Sequence, residues 1–192
     1  MFHLRTMNKK AFLTIVIISL LVLGLTAPAS GATLTDVSGE PVEIGSKITA
    51  TSNNLVSTFG SGVSSSCENT AVEAEVAENG PEQVTLDQLS ATATGCKIKP
   101  SGVPVVVKAL TFGMIVLAEG EGSSPFKSSE ELGGLITCNY GGTAGFTYEA
   151  ETDVLSIPGS LMGLESGPGC PATKNLHGDF ALANESGPVT ID

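Results

Sequence analysis

The sequence contains no Trp, and beyond residue 32 it has no Arg, a single His at position 177 and only six Lys. Its 20 acidic residues give the whole chain a formal net charge of −11. Because proteins bind nucleic acids mainly through Lys and Arg contacts to phosphates, this balance argues against a nucleic-acid partner. It also argues against anionic membrane surfaces, which leaves cations, basic proteins, neutral polymers and apolar small molecules as compatible partners.

Common catalytic and cofactor motifs are also missing from the sequence. It has no Gly-x-Ser-x-Gly elbow, no glycine-rich phosphate loop and no closely spaced Cys pair. His177 and Asp179 could join a Ser in a hydrolytic triad, but an isolated His is more often a turn or strand-face residue. We therefore predict a protein that is not an enzyme and uses no cofactor, with a hydrolase based on His177 as an alternative.

The first 32 residues have the features of a secretory signal peptide. Three basic residues precede an uncharged apolar run over 11–25, and small residues follow it. A run of this length is short for a membrane span, which needs roughly 20 residues. We expect cleavage after Ala29 or Ala32, which would lower the formal charge to −14. Residues 33–192 are then predicted to form a single secreted or cell-surface domain without stable membrane insertion.

Apolar and polar residues alternate with a period of two along much of the predicted domain. In the clearest case, Val72, Ala74 and Val76 alternate with Glu73 and Glu75. This period is typical of a half-buried antiparallel strand, and it recurs over 48–52, 84–88 and 146–148. The sequence therefore predicts an all-β fold of about eight to ten short antiparallel strands, arranged as a two-sheet sandwich or a flattened barrel.

Two further segments were interpreted from their composition. The apolar run 103–118 predicts two core strands, or one bent strand, interrupted near Gly113. The following polar stretch, 119–134, resembles a surface connection in which Phe126 is an anchor, or a recognition loop.

Four Cys residues in an exported chain predict two disulfides. Three pairings are open, and we favour Cys67–Cys96 with Cys138–Cys170. Each pair encloses a predicted hairpin, and a hairpin returns its two ends to neighbouring positions. The separations within the two pairs are similar, which suggests a weak internal repeat of two Cys–hairpin–Cys units.

Acidic residues in the second predicted hairpin are weak candidates for a calcium site. Glu149, Glu151 and Asp153 alternate along the chain and could converge on one ion. The sequence has no D-x-[DN]-x-[DN]-G loop, so a solvated face that discourages strand pairing between molecules is the favoured interpretation. No other metal site is predicted.

Several segments resemble secreted bacterial all-β proteins that carry a signal peptide and two Cys–hairpin–Cys units. The resemblance lies in 41–55, in the Ser run before Cys67 and in 90–96, and it extends distantly to the secreted alkane-oxidation activator type. The chain departs from that type by its acidity, its few aromatic residues and Val103-Pro104-Val105 in place of a Leu-Pro-Trp-like step. The resemblance implies an all-β extracellular fold and supplies no catalytic residues.

The sequence thus favours a secreted, non-enzymatic protein that acts by binding or as a structural component, with a cell-wall or protein partner. A carrier that holds an apolar small molecule inside a β-barrel is the main alternative, because the run 103–118 is so apolar. No ligand-binding residue is predicted.

Overall fold

The computed structural model describes residues 33–118, 120–149 and 152–191, and the predicted signal peptide 1–32 lies outside them. These ranges contain strands and no helix. The fifteen strands are β1 Leu34–Thr35, β2 Lys47–Ser52, β3 Val56–Phe59, β4 Ser64–Ser66, β5 Asn69–Asn79, β6 Val84–Thr94, β7 Lys97–Lys99, β8 Val105–Phe112, β9 Ile115–Ala118, β10 Glu121–Leu132, β11 Ile136–Glu149, β12 Val154–Ser166, β13 Thr173–Asn184, β14 Gly187–Pro188 and β15 Thr190–Ile191.

Eight of the strands form a closed antiparallel barrel. Their order is β12-β11-β10-β9-β6-β5-β2-β13, and the pairing of β13 with β12 closes the ring. The predicted all-β class is therefore confirmed, with the barrel as the architecture. Full closure leaves no unpaired edge in this ring, so a second molecule finds no strand there to pair with.

Additional strands continue the barrel along its axis. Strand β3 pairs with β13 beyond the end of β2, and the sheet continues through β4 to β7. Hydrogen bonds from Ile98 N to Val103 O and from Val105 N to Cys96 O then connect β7 with β8, at 2.8 and 2.9 Å. Strand β8 pairs with β10, so these strands also return to the long strands β10–β13.

The barrel therefore has two halves that share β10–β13. The "apolar half" is completed by β2, β5, β6 and β9, and the "lysine half" by β3, β4, β7 and β8. In the apolar half, the interior is filled by side chains that alternate along their strands, as the period-two pattern predicts. They include Ile48, Val72, Val76, Ile115, Phe146, Leu155 and Phe180.

The apolar run 103–118 forms two strands, as predicted. Strands β8 and β9 are separated at Gly113, whose N–H donates to Pro125 O at 2.7 Å. A Cβ atom at Gly113 would lie 3.2 Å from the Pro125 ring, so the close approach favours glycine there.

The interpretation of 119–134 as a surface connection or loop was wrong. Most of this stretch is β10, which pairs with β11 along its whole length. Phe126 is buried, but as an inward-facing strand residue. The stretch looked like a loop because its other inward positions are polar: Ser124, Ser128 and Glu130.

Both predicted disulfides are present. Cys67–Cys96 encloses the hairpin of β5 and β6, and Cys138–Cys170 encloses most of the hairpin of β11 and β12. All four Cys residues lie beside strands or strand segments of the lysine half. Such bonds are typical of proteins in oxidising compartments. Within the described ranges, no helix is long and apolar enough to cross a membrane.

Candidate functional site

A polar groove lies on the outside of the barrel where β2 ends and β3 begins. It has two lobes of about 410 and 440 Å³, and Asn53 lines both of them. We call it the Asn53 groove. Its first lobe is lined by Asn53, Asn54, Val56, Ser66, Cys67, Glu68, Gly95, Lys97, Ile98, Lys99, Pro100 and Gly102, and its second by Thr51, Ser52, Asn53, Asn69, Thr70, Ala71, Asp179 and Ala181.

A hydrogen-bond network fixes one wall of the groove. Asn54 Nδ2 donates to Asp179 Oδ2 at 2.8 Å, and the Asp179 N–H donates back to Asn54 Oδ1 at 2.9 Å. Ser52 Oγ also donates to Asn54 Oδ1, and Ser156 Oγ donates to Asp179 Oδ1 at 2.7 Å. This reciprocal pairing joins the β2–β3 connection to β13, so the wall is held in one arrangement.

Other polar groups of the groove have no protein partner. The side chains of Asn53 and Asn69 are exposed and make no hydrogen bond to another described residue. Thr70 is buried, yet its Oγ1 has no partner within the described ranges. Such groups are available for the donors and acceptors of a ligand. Lys97 is paired with Glu68 at 2.9 Å, which reduces the local charge.

His177 and Asp179 lie two residues apart on β13, but the structure does not join them. His177 Nδ1 lies 3.0 Å from Pro158 O, and Asp179 accepts directly from Ser156. A hydrolytic triad requires His between the nucleophile and the carboxylate. In the described residues the Ser contacts the carboxylate without an intervening His.

The calcium candidates are divided between described and undescribed residues. Glu151 lies outside the described residues, while Asp153 Oδ1 accepts from Tyr148 OH at 2.9 Å and Glu149 Oε2 from Thr152 Oγ1 at 3.3 Å. Among the described residues, no group of three His, Cys, Asp or Glu side chains could hold a metal ion.

A second polar cluster lies inside the lysine half of the barrel. Lys174 and Glu130 are only 1% and 5% exposed, and Lys174 Nζ forms an ion pair with Glu130 Oε1. Lys174 Nζ also donates to Ser128 Oγ at 2.8 Å, and Ser128 Oγ donates to Glu130 Oε1 at 3.1 Å. The second carboxylate oxygen, Glu130 Oε2, is buried without a partner among the described residues.

Two aromatic rings complete the surroundings of the Lys174 amine. Nζ lies 5.3 Å from the centre of the Phe126 ring and 4.9 Å from that of Tyr140, distances typical of cation–π contacts. Burial lowers the pKa of Lys174, although Glu130 opposes this effect. Burial, assisted by the charge of Glu130, raises the pKa of Tyr140 to about 12.

Two cavities among the core side chains are small. One, of about 20 Å³, lies beside Lys174 and Glu130 in the lysine half. The other, also about 20 Å³, lies among Phe112, Phe146 and Phe180 in the apolar half. Each has room for about one water molecule, since a water requires roughly 10–15 Å³ by this kind of measure.

Sequence reasoning did not identify Lys174 or the Asn53 groove. A signal for Lys174 was present, because it has the same parity along β13 as the buried Leu176, Phe180 and Leu182. A Lys in that register predicts a buried cation that requires a partner. The groove had no comparable signal, since its two lobes combine residues from segments far apart in the sequence.

The fold and sites define a disulfide-bonded, all-β antiparallel barrel with a polar external groove and a charged internal cluster. Comparisons with protein families, curated proteins and solved structures found no match to this chain.

Proposed function

We propose that this chain is an exported, non-enzymatic binding protein that acts through the Asn53 groove. The groove carries the proposal because it combines ligand-sized volume with unpartnered hydrogen-bonding groups at Asn53, Asn69 and Thr70. Export agrees with the predicted signal peptide and with the two disulfides. The absence of an activated nucleophile at His177 supports a role in binding rather than hydrolysis.

The chemistry of the groove favours an uncharged, hydroxyl-rich polymer such as a neutral cell-wall polysaccharide. The available groups are mainly amides and hydroxyls, which donate and accept equally well. The formal charge of −11 disfavours polyanions over the molecule as a whole. No aromatic side chain lines either lobe, so recognition would depend on hydrogen bonds rather than on stacking against sugar rings.

The carrier hypothesis finds less support. An apolar ligand would need a cavity of several hundred Å³ among the core side chains. The two core cavities described above are about 20 Å³ each.

Affinity electrophoresis through gels that contain a neutral α-glucan or β-glucan tests the proposal. We expect at least one of these gels to retard the wild-type protein, and the Asn53→Ala/Asn69→Ala variant to migrate as it does without polysaccharide. Asn139→Ala, in β11 outside the groove lining, is the matched control and should be retarded like wild type. Equal migration of the wild type with and without both glucans would reject this ligand class, and equal retardation of the groove variant would reject this site.

A further inference from the structure

The internal cluster brings an amine and a carboxyl group into contact across the barrel. Lys174 is on β13 and Glu130 on β10, and two other strands, β11 and β12, separate these strands in the sheet. The side chains therefore meet through the interior, where Lys174 Nζ contacts Glu130 Oε1. Both residues are more than nine-tenths buried, so bulk water does not reach the contact.

An ion pair at this position is an expensive arrangement. Burial removes the hydration of both charges, and their mutual attraction offsets that loss only in part. The partial solvation is visible at Glu130 Oε2, which lacks a hydrogen-bond partner among the described residues. An amide between the two side chains would carry no net charge and would keep only one oxygen to be satisfied.

We propose that Lys174 and Glu130 condense to an amide that links β13 to β10 through the barrel interior. In this step the Nζ lone pair attacks Glu130 Cδ and the Cδ–Oε2 bond breaks. Two of the three protons of the Lys174 ammonium leave with Oε2 as one water molecule, and the nitrogen keeps the third. The reaction balances without an oxidant, a reductant or a further reactant.

The neighbouring groups suit this reaction. Ser128 Oγ accepts from Nζ and donates to Oε1, so it can pass a proton from the amine and stabilise charge on the oxygen that remains. Oε2, the oxygen that would leave, is the one without a partner. The adjacent cavity of about 20 Å³ can receive the released water.

Burial also favours the reactive form of the amine. It lowers the pKa of Lys174, which increases the neutral, nucleophilic fraction at a given pH. The barrel holds the two groups together, and such intramolecular contact strongly accelerates a bimolecular reaction.

Mass spectrometry of the exported, folded protein tests the proposal directly. We expect the intact mass of the main species to be lower by one water in addition to the four hydrogens lost in two disulfides. After reduction, trypsin should leave one peptide over 128–192, because an amidated Lys174 is not cleaved. Without the amide, cleavage after Lys174 gives 128–174 and 175–192.

Two controls make the result specific. Lys108 and Glu131 form an ion pair on the outside of the barrel, and trypsin should cleave fully after Lys108. The Lys174→Arg variant keeps the positive charge without the amine nucleophile and should show no loss of water. Ser128→Ala should decrease the dehydrated fraction measured soon after purification, since it removes the proposed proton relay.

The opposite outcome is equally clear. Protein with both disulfides formed, no missing water after prolonged incubation and complete cleavage after Lys174 would overturn the proposal. A missing water that fragment spectra place on residues other than Glu130 and Lys174 would also overturn it.

Discussion

The two halves of the barrel use the same four long strands but have different interiors. The apolar half is filled by side chains such as Phe146, Leu155 and Phe180. The lysine half encloses Lys174 and Glu130, and both disulfides lie beside its strands. A charged interior provides less hydrophobic stabilisation for a given area. The comparison indicates that covalent bonds compensate where apolar burial is weaker, and the proposed amide would be a third bond in the same half.

The largest expected effect is that of removing both disulfides by reduction. The Cys pairs are 29 and 32 residues apart in sequence, and each bond should contribute about 3.5 kcal/mol to the free energy of unfolding by restricting the unfolded chain. We expect amide hydrogen exchange to accelerate first in β3, β4 and β7, while β5 keeps more of its protection. Mass analysis of the four thiols confirms complete reduction.

Uniform loss of protection in both halves would contradict this view. It would mean that the disulfides stabilise the barrel as a single cooperative unit and that the two halves do not differ in local stability.

A smaller effect separates the buried charges from the covalent bonds. In Lys174→Met, Glu130 remains as a buried charge without its partner, whereas the Lys174→Met/Glu130→Leu variant removes both charges. Neither variant can form the proposed amide, so their comparison isolates the cost of the unpaired carboxylate. We expect the single variant to be less stable by about 3–5 kcal/mol, measured by urea unfolding.

Similar stabilities of the single and double variants would show that Glu130 is readily solvated when Lys174 is absent. The interior of the lysine half would then be open to water, and the contrast with the apolar half would weaken.

The same difference explains what the sequence could predict. In the apolar half, inward positions are apolar, so Val72, Ala74 and Val76 identified β5 directly. In β10, the inward residues include Ser128 and Glu130, which resemble a loop when only neighbouring residues are considered. Their burial depends on Lys174, 44 residues from Glu130 in sequence, and local periodicity carries no information about that partner.

The disulfide pairing was predictable because each pair encloses its own hairpin, so local topology determined it. The Asn53 groove was not, because it depends on how the ends of β2, β5 and β7 meet on the barrel surface.

The smallest expected effect is a loss of stability at alkaline pH that originates in the lysine half. Tyr140 has a pKa raised to about 12, chiefly by burial, against 10.0 for an ordinary phenol. The neutral phenol is thus favoured in the folded protein, and this stabilisation is complete below pH 10 and lost as the pH rises to about 12. The free energy of unfolding should fall by up to about 2–3 kcal/mol over this range.

The protein's two tyrosines allow this prediction to be assigned to one half. Tyr140 lies in the lysine half, and Tyr148 lies near the end of β11 in the apolar half. In Tyr148→Phe, tyrosinate absorbance should appear only as the protein unfolds, whereas Tyr140→Phe should lose less stability between pH 10 and 12. Ionisation of Tyr140 near pH 10 without unfolding would show that solvent enters the lysine half freely. In that case, neither a dry ion pair nor its condensation to an amide would be physically supported, because both depend on the exclusion of water from the same interior.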